Sequence, residues 1–210
     1  MDKEINSRHP HARLDAPLPE SQLCLASASA RRAELLRQIN LRFTTIHCDI
    51  DETQQRGESA EQYCLRLSQE KAAAGRERIG HRLPVLGADT IVILNRQTLG
   101  KPRSSEEAVA MLLRLGNRTH QVATAVTIID RKGESYRDIS VSQVTFRAIS
   151  HAEAVRYVAS GEPLDKAGAY AIQGVAALFI SHLEGSYSGV MGLPLYETAQ
   201  LLAKVGVQAL

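Results

Sequence analysis

The residues best suited to chemistry lie in segment 23–32, where a short apolar run is followed by two serines and two adjacent arginines. Ser27 and Ser29 supply hydroxyl groups, and Arg31 and Arg32 place two guanidinium groups in the first turn of a predicted helix. Cations at this end of a helix oppose its macrodipole, so an anion bound there would stabilise them. Backbone N–H groups, hydroxyls and guanidinium groups together predict a phosphate site. The alternative is an amphipathic helix whose arginines face water.

A second candidate is Asp89, an acidic residue inside the apolar, β-rich run 84–94. A carboxylate buried in such a strand is costly unless it is bound. A metal ion, a basic partner or a role as proton acceptor would each account for it. The alternative is an acid at a strand end that caps a turn.

An acidic cluster formed by Asp49, Asp51 and Glu52 follows a predicted strand. Such a cluster is usually a solvated loop. Together with Asp89, however, it would supply the oxygen ligands that Mg²⁺ and Mn²⁺ prefer.

Two lysines are further candidates. Lys71 lies on a predicted helix, where an exposed surface lysine is the usual interpretation, and Lys101 precedes a predicted helix start. Lys101 is not a Walker A lysine, because Pro102 stands where that motif needs Ser or Thr. A GxGxxG fingerprint is also absent, so the sequence supports neither a P-loop NTPase nor a Rossmann oxidoreductase.

Composition and charge exclude several classes of protein. The 210 residues include 25 basic and 23 acidic ones, a balance that argues against a nucleic-acid or membrane-surface partner. The odd number of cysteines (Cys24, Cys48 and Cys64), with no CxxC pair, disfavours a disulfide framework or a zinc site and predicts a reducing cytoplasm. No apolar run approaches membrane-spanning length. Residues 1–20 contain three prolines and no signal-peptide core, so we expect a flexible tail followed by one domain over 21–210.

The elements that must position these residues alternate between strands and helices. Strands are predicted over 22–26, 43–46, 84–94, 119–129, 139–146 and 176–183, with helices over 30–38, 60–75, 105–115 and 151–159 and a closing helix after Pro194. Ser-x-x-Glu/Gln patterns mark three of the helix starts, and the fourth and fifth of these strands are expected to pair across a turn at Lys132 and Gly133. The pattern predicts an α/β protein with a mixed central sheet flanked by helices.

Taken together, eight segments resemble the Maf family of nucleoside triphosphate pyrophosphatases. They fall in family order and cover residues 23–205: Ser27–Arg32 (SASARR), Asp51-Glu52, Glu70-Lys71-Ala72, Gly87-Ala88-Asp89-Thr90, Gly100-Lys101-Pro102, Asp165–Tyr170 (DKAGAY), Ile172-Gln173-Gly174 and Gly192-Leu193-Pro194-Leu195. The resemblance implies an elongated fold similar to the inosine triphosphatase (Ham1) group, often dimeric. It also implies hydrolysis of a nucleoside triphosphate to a monophosphate and pyrophosphate with a divalent cation, Mg²⁺ or Mn²⁺.

The resemblance also implies roles for individual residues. Asp89 corresponds to the proton acceptor and Glu52 to a carboxylate near the metal, so both are expected to hold the cation. The phosphates would be held by Ser27, Ser29, Arg31, Arg32, Lys71 and Lys101.

Substrate preference is implied by three positions, which hold Arg31, Thr90 and Gln173 here. This set resembles the branch that acts on dTTP and UTP, and modified as well as ordinary pyrimidine nucleotides are candidate targets. The alternatives are a 7-methyl-GTP pyrophosphatase, a phosphatase that releases the γ-phosphate, and a nucleotide-binding regulator of septum formation without turnover.

Overall fold

The computed structural model describes residues 21–209, so the tail predicted over 1–20 lies outside the described residues. Its strands are β1 (Leu23–Ala26), β2 (Phe43–Ile46), β3 (Val85–Leu94), β4 (Gln97–Leu99), β5 (Thr119–Ile129), β6 (Ser135–Phe146) and β7 (Ile180–Glu184). Its α-helices are α1 (Ala30–Gln38), α2 (Ala60–Ile79), α3 (Ser105–Leu115), α4 (His151–Ala159), α5 (Tyr187–Met191) and α6 (Leu195–Lys204). Short 3₁₀ helices span Ala167–Ala169 and Val175–Phe179.

The strands form one mixed sheet in the order β2-β1-β3-β5-β6-β7, with β4 paired to β3. β1 runs parallel to both β2 and β3, whereas β3, β5, β6 and β7 are antiparallel to their neighbours. Helices pack against this sheet, so the predicted α/β fold with a mixed central sheet is confirmed. In the part of the chain that the structure describes, no helix is long and apolar enough to span a membrane.

One edge of β3 is interrupted, and this interruption positions the site. β1 pairs with Val85 and Leu86, and β4 pairs with the segment 92–94. Between them, residues 87–91 pair with β5 on one side only, and no described strand pairs with them on the other. Asp89 lies at the centre of this gap.

Serine caps begin the helices that border the gap. The Ser29 hydroxyl accepts a hydrogen bond from the Arg32 N–H at 3.4 Å, as expected for an N-cap. Ser59 and Gln62 form the predicted reciprocal capping box at the start of α2. This helix continues to Ile79, one turn beyond its predicted end, and its C-cap is Gly80.

Glycine allows α2 to lie directly on β3. A Cβ atom on Gly87 would lie 2.5 Å from the backbone nitrogen of Ala72 and still closer to the carbonyl oxygen of Ser68. The two backbones therefore touch at this point, which only glycine permits. The close approach places Lys71 over the neighbouring Asp89.

The prediction of a strand over 176–183 is wrong in its first half. Val175–Phe179 forms a 3₁₀ helix, and the strand β7 begins only at Ile180. Ala176 and Phe179 are buried whereas Leu178 is 71% exposed, and this spacing of three fits the three residues per turn of a 3₁₀ helix. Segment 176–183 is largely apolar and shows no clear alternation of apolar and polar residues, so its sequence did not distinguish a strand from a 3₁₀ helix.

Candidate active site

A cleft of about 640 Å³ opens at the gap in the sheet. Its walls contain ten of the residues that the sequence predicts for the site: Ser27, Ser29, Arg31, Arg32, Glu52, Lys71, Asp89, Thr90, Lys101 and Gln173. They come from the β1–α1 turn, the first turn of α1, the loop after β2, α2, β3, the loop after β4 and the segment after the first 3₁₀ helix. Residues far apart in sequence therefore share one cavity.

At the centre of the cleft, one ammonium group lies between two carboxylates. Lys71 Nζ is 2.7 Å from Glu52 Oε1 and 2.7 Å from Asp89 Oδ1. Asp89 is only 7% exposed, whereas about half of the Glu52 side chain is exposed. The Tyr63 hydroxyl donates to the carbonyl oxygen of Glu52 at 2.7 Å, which ties the loop after β2 to α2. The predicted surface lysine is thus a central residue of the cleft.

The pKa values of the two carboxyl groups move in opposite directions. Burial raises the pKa of Asp89 above its usual value, even though Lys71 and Arg32 favour its ionised form. Burial also opposes the ionisation of Glu52, but the hydrogen bond and charge of Lys71, with Lys101 and Arg32, hold its pKa below the usual value. Paired carboxyl groups with divergent pKa values are typical of sites that divide proton transfer from charge stabilisation.

Arg31 and Lys101 carry positive charge on the outer part of the cleft. Arg31 Nη1 lies 3.8 Å from a carboxylate oxygen of Asp165 on the facing wall. Lys101 is exposed and, within the described part of the chain, makes no hydrogen bond or ion pair. Both cations are therefore accessible to an anionic ligand.

Arg32 differs from Arg31 because protein oxygens hold its guanidinium group in place. Its Nε donates to the Gly192 carbonyl at 2.8 Å, Nη1 donates to the Ser27 hydroxyl at 3.2 Å, and Nη2 donates to the Thr90 hydroxyl at 3.2 Å. These contacts use three of its five N–H groups. Arg32 therefore presents an immobilised positive charge to the cleft, and two of its N–H groups are not used in these contacts.

Some predicted acidic residues do not reach the cleft. Asp51 accepts a hydrogen bond from the Thr53 backbone at 2.9 Å, and Asp49 pairs with His47 at 2.8 Å, both on the exposed surface. The suggestion that the whole acidic cluster faces Asp89 is therefore wrong, and only Glu52 does so. Asp49 and Asp51 are instead used in local contacts with His47 and Thr53.

The carboxylate oxygens in the cleft fit a magnesium or manganese ion that protein and substrate bind jointly. Glu52 and Asp89 each use one oxygen for Lys71, and the second oxygen of each carboxylate makes no hydrogen bond to another described residue. Two carboxylates plus phosphate oxygens are a usual ligand set for Mg²⁺. No cluster of three or more His, Cys, Asp or Glu side chains suited to a metal occurs among residues 21–209, so substrate oxygens would have to complete the coordination.

Three groups of the site were not predicted from the sequence. Thr124 on β5 lies beside Thr90, and the carbonyl groups of Gly189 and Gly192 accept hydrogen bonds from Thr124 and Arg32. The family segment Gly192-Leu193-Pro194-Leu195 was the sequence signal for this wall, to which Ser186 contributes the N-cap of α5. A backbone carbonyl has no sequence signature, and Thr124 is one of several threonines in a β-rich run.

Comparison with known proteins agrees with this architecture. A HAM1 protein from Coxiella burnetii has a similar fold, with a TM-score of 0.50 and 17% sequence identity over 88% of this chain and 99% of that one. A family model described as "Maf-like protein" matches residues 22–205. The chain therefore belongs to the Maf-like protein family, as its eight segments predict.

Relatives in this family carry a more specific name. A protein from Bordetella avium (strain 197N) named "dTTP/UTP pyrophosphatase" is 50% identical over 89% of this chain and 96% of its own length. A protein of the same name from Escherichia coli O157:H7 is 51% identical over 87% of this chain and 92% of its own length. The family match over residues 22–205 covers the whole candidate site.

Proposed function

We propose that this protein hydrolyses dTTP and UTP to the nucleoside monophosphate and pyrophosphate with the help of a divalent cation. Its membership of the family and its 50–51% identity to named pyrophosphatases make it a nucleoside triphosphate pyrophosphatase, a hydrolase. The observation that carries the proposed mechanism is the Lys71 ammonium held between Glu52 and Asp89 inside the cleft.

The charge of the cleft suits a triphosphate. Arg31, Arg32, Lys71 and Lys101 supply four cations on its walls. Guanidinium groups bind phosphate oxygens through paired N–H groups, and ammonium groups bind them as point charges. The hydroxyl groups of Ser27 and Ser29 and the N-terminus of α1 add uncharged donors and a favourable dipole.

Asp89 is proposed to accept a proton from the attacking water. Its raised pKa makes it a stronger base than an exposed aspartate, and the charges of the neighbouring Lys71 and Arg32 favour its ionised form. The water oxygen attacks the α-phosphorus, the bond from that phosphorus to the bridging oxygen breaks, and pyrophosphate leaves. Lys71 lies beside Asp89 and would stabilise negative charge that develops on the phosphate oxygens.

Glu52 and Asp89 are the residues that would hold the cation. The bound ion would neutralise phosphate charge and lower the pKa of a coordinated water. Glu52 keeps its charge at lower pH than an ordinary glutamate, which suits a ligand rather than a base.

Arg31, Thr90 and Gln173 are proposed to select the base, as the family resemblance implies. Gln173 is exposed on the cleft wall and offers one carbonyl acceptor and an amide donor. Uracil and thymine present carbonyl oxygens on both sides of an N–H group, so such a mixed side chain complements their edge.

The cytoplasmic location, the homodimer and the single domain over 21–210 also stay predictions.

A product assay on the purified protein tests this function. The substrates are dTTP, UTP, CTP, GTP and 7-methyl-GTP with Mg²⁺ or Mn²⁺, and pyrophosphate and orthophosphate are measured separately. We expect pyrophosphate from dTTP and UTP, and its loss when the metal is removed with EDTA.

The other outcomes each identify an alternative. Orthophosphate as the first product would indicate attack at the γ-phosphate, and turnover of 7-methyl-GTP alone would refute the pyrimidine preference. Nucleotide binding without any turnover would favour a regulator.

A further inference from the structure

The turn that carries Gln173 forms part of the cleft wall. The Gly174 N–H donates to the Ala171 carbonyl oxygen at 3.1 Å, which closes this turn. Ile172 is buried in the core, whereas Gln173 and Val175 are exposed. Core packing therefore fixes the first half of the turn, and other contacts must hold the half that carries Gln173.

Two residues outside the cleft wall, Tyr157 and Glu162, hold the backbone on both sides of Gln173. The Ala171 N–H, which precedes Gln173 in the turn, donates to the Tyr157 hydroxyl oxygen at 3.3 Å. The Val175 N–H, which follows the turn, donates to Glu162 Oε2 at 3.2 Å. The Tyr157 hydroxyl itself donates to Glu162 Oε1 at 2.7 Å, so the two supports form one unit.

The surroundings of Tyr157 and Glu162 fix their geometry. Tyr157 is only 4% exposed, and its ring packs edge-on against Phe179 with 5.5 Å between the ring centroids. Burial and the Glu162 carboxylate raise the pKa of the Tyr157 hydroxyl, which therefore keeps its hydrogen. A Cβ atom on Gly174 would overlap the Glu162 carboxylate, so glycine at this position lets that carboxylate lie directly against the turn.

We propose that Tyr157 and Glu162 are positioning residues for base recognition, which act by holding the turn that presents Gln173 to the base. Neither residue lines the cleft, so their effect passes through Gln173. A hydrogen bond from an unsupported turn would lose part of its free energy to the ordering of that turn. The pair orders the turn before the nucleotide binds. This inference rests on the proposed function, in which Gln173 contacts the base.

The test compares dTTP with 1,2-dideoxyribose 5′-triphosphate, an analogue that keeps the triphosphate and lacks the base. The ratio of kcat/KM for dTTP to that for the abasic analogue measures the contribution of the base, whereas damage to the phosphate site or the fold lowers both values alike. We expect the ratio to fall about tenfold, the value of one good hydrogen bond, in Glu162→Ala and in Tyr157→Phe. An unchanged ratio in either folded variant would overturn the proposed joint support. If one variant does not fold, the other decides alone.

The variant Gln173→Ala distinguishes failure of this inference from failure of the proposed function. It should lower the ratio by about the same factor, and adding Glu162→Ala to it should cause no further fall, because Glu162 acts only through Gln173. A further fall would contradict this route. A lowered ratio in Gln173→Ala alone, with wild-type ratios in the other single variants, would overturn only the positioning role. An unchanged ratio in Gln173→Ala would refute the proposed contact with the base and this inference with it.

Tyr136→Phe is the matched control. The Tyr136 hydroxyl donates to Glu134 at 3.0 Å, and neither residue lines the cleft. This variant therefore also loses a hydrogen bond between a tyrosine and a glutamate, and its ratio should stay at the wild-type value. A tenfold fall in Tyr136→Phe would show that the ratio does not report the turn, and would overturn the proposal.

Binding of a non-hydrolysable analogue makes the result independent of turnover. Calorimetry with α,β-methylene-dTTP should give a Kd about tenfold higher in Glu162→Ala and in Tyr157→Phe than in the wild type, and an unchanged Kd in Tyr136→Phe. If the wild type binds the analogue but releases no pyrophosphate from dTTP, the same rise in Kd would refute the proposed hydrolysis and still support the positioning role. An unchanged Kd in both variants would refute that role.

Discussion

Glu52 and Asp89 share a single counterion, the Lys71 ammonium, which lies 2.7 Å from one oxygen of each carboxylate. The two acids differ in burial, and their pKa values therefore move apart: that of Asp89 rises and that of Glu52 falls. Glu52 can hold Lys71 in place while Asp89 takes up a proton. The proposed division of tasks between the two acidic residues therefore depends on one lysine.

Replacing Asp89 by asparagine should abolish most turnover while preserving the shape of the cleft. The amide cannot accept the proton of the attacking water, and loss of a general base costs about 10²- to 10⁴-fold in rate. The measurement is kcat for pyrophosphate release from UTP. Asp138→Asn, an exposed change on β6, is the matched control and should be fully active. Wild-type turnover by Asp89→Asn would rule out the proton-acceptor role.

Replacing Lys71 by methionine should move the acidic limb of the pH–rate profile to higher pH. The charge and hydrogen bond of Lys71 both lower the pKa of Asp89, so their removal makes the base protonate more readily. An opposite charge at this distance shifts a pKa by about 1–3 units, and we expect a displacement of at least about one pH unit in kcat/KM.

Lys101→Met provides the control for this profile. It also removes a cation from the cleft, but the charge of Lys101 acts on the pKa of Glu52, whereas the cations that act on the pKa of Asp89 are Lys71 and Arg32. Its activity should fall while the acidic limb stays near its wild-type position. Equal displacement in both variants would mean that the acidic limb does not report the protonation of Asp89.

The raised pKa of Asp89 also has a consequence for stability. A carboxyl group whose pKa is higher in the native than in the unfolded state binds more protons when folded, so its contribution to stability decreases as the pH rises through the interval between the two values. The Asp89→Asn variant would lack this loss. The Tm of Asp89→Asn minus the Tm of the wild type should therefore increase from about pH 4, near the pKa of an unperturbed aspartate, to about pH 7. A difference that is constant over this range, measured by calorimetry, would show that burial does not perturb Asp89.

Replacing Gly87 by alanine should destabilise the protein and separate Lys71 from Asp89. The added Cβ would collide with the backbone of α2 near Ser68 and Ala72, and overpacking of this kind costs about 1–3 kcal/mol or more. Urea unfolding measures the loss. Gly100→Ala is the control, because no atom lies within 4 Å of its Cβ position and its φ is not positive. Equal stability of the two variants would show that α2 can move away from β3 without cost.

Local signals in the sequence predicted most of the elements around the site. Ser59 caps α2 as expected, and the acid inside an apolar strand marked Asp89 as unusual. These features depend on neighbours within a few residues, which a sequence displays directly. The helix boundaries at Ala30 and Gln38 are confirmed for the same reason.

Features that depend on tertiary contact were harder to predict. Lys71 has the sequence context of a surface helix, and only the family resemblance marked it, because its burial results from the contact between α2 and Gly87. Both arginines were assigned to phosphate binding as similar cations, yet Arg32 is held by Ser27, Thr90 and Gly192 while Arg31 faces Asp165 across the cleft. Thr124 gains its position only from the register between β3 and β5.

The hydrogen bond from Arg32 to the Gly192 carbonyl joins residues that are 160 positions apart. During synthesis the ribosome releases the amino-terminal part of the chain first, so Glu52, Lys71 and Asp89 emerge long before Gly192. A nascent chain that ends before α5 would therefore carry the acidic pair and its lysine but lack the acceptor that fixes Arg32. The nucleotide cleft can reach its final geometry only late in translation, which delays nucleotide capture until all seven strands of the sheet have been made.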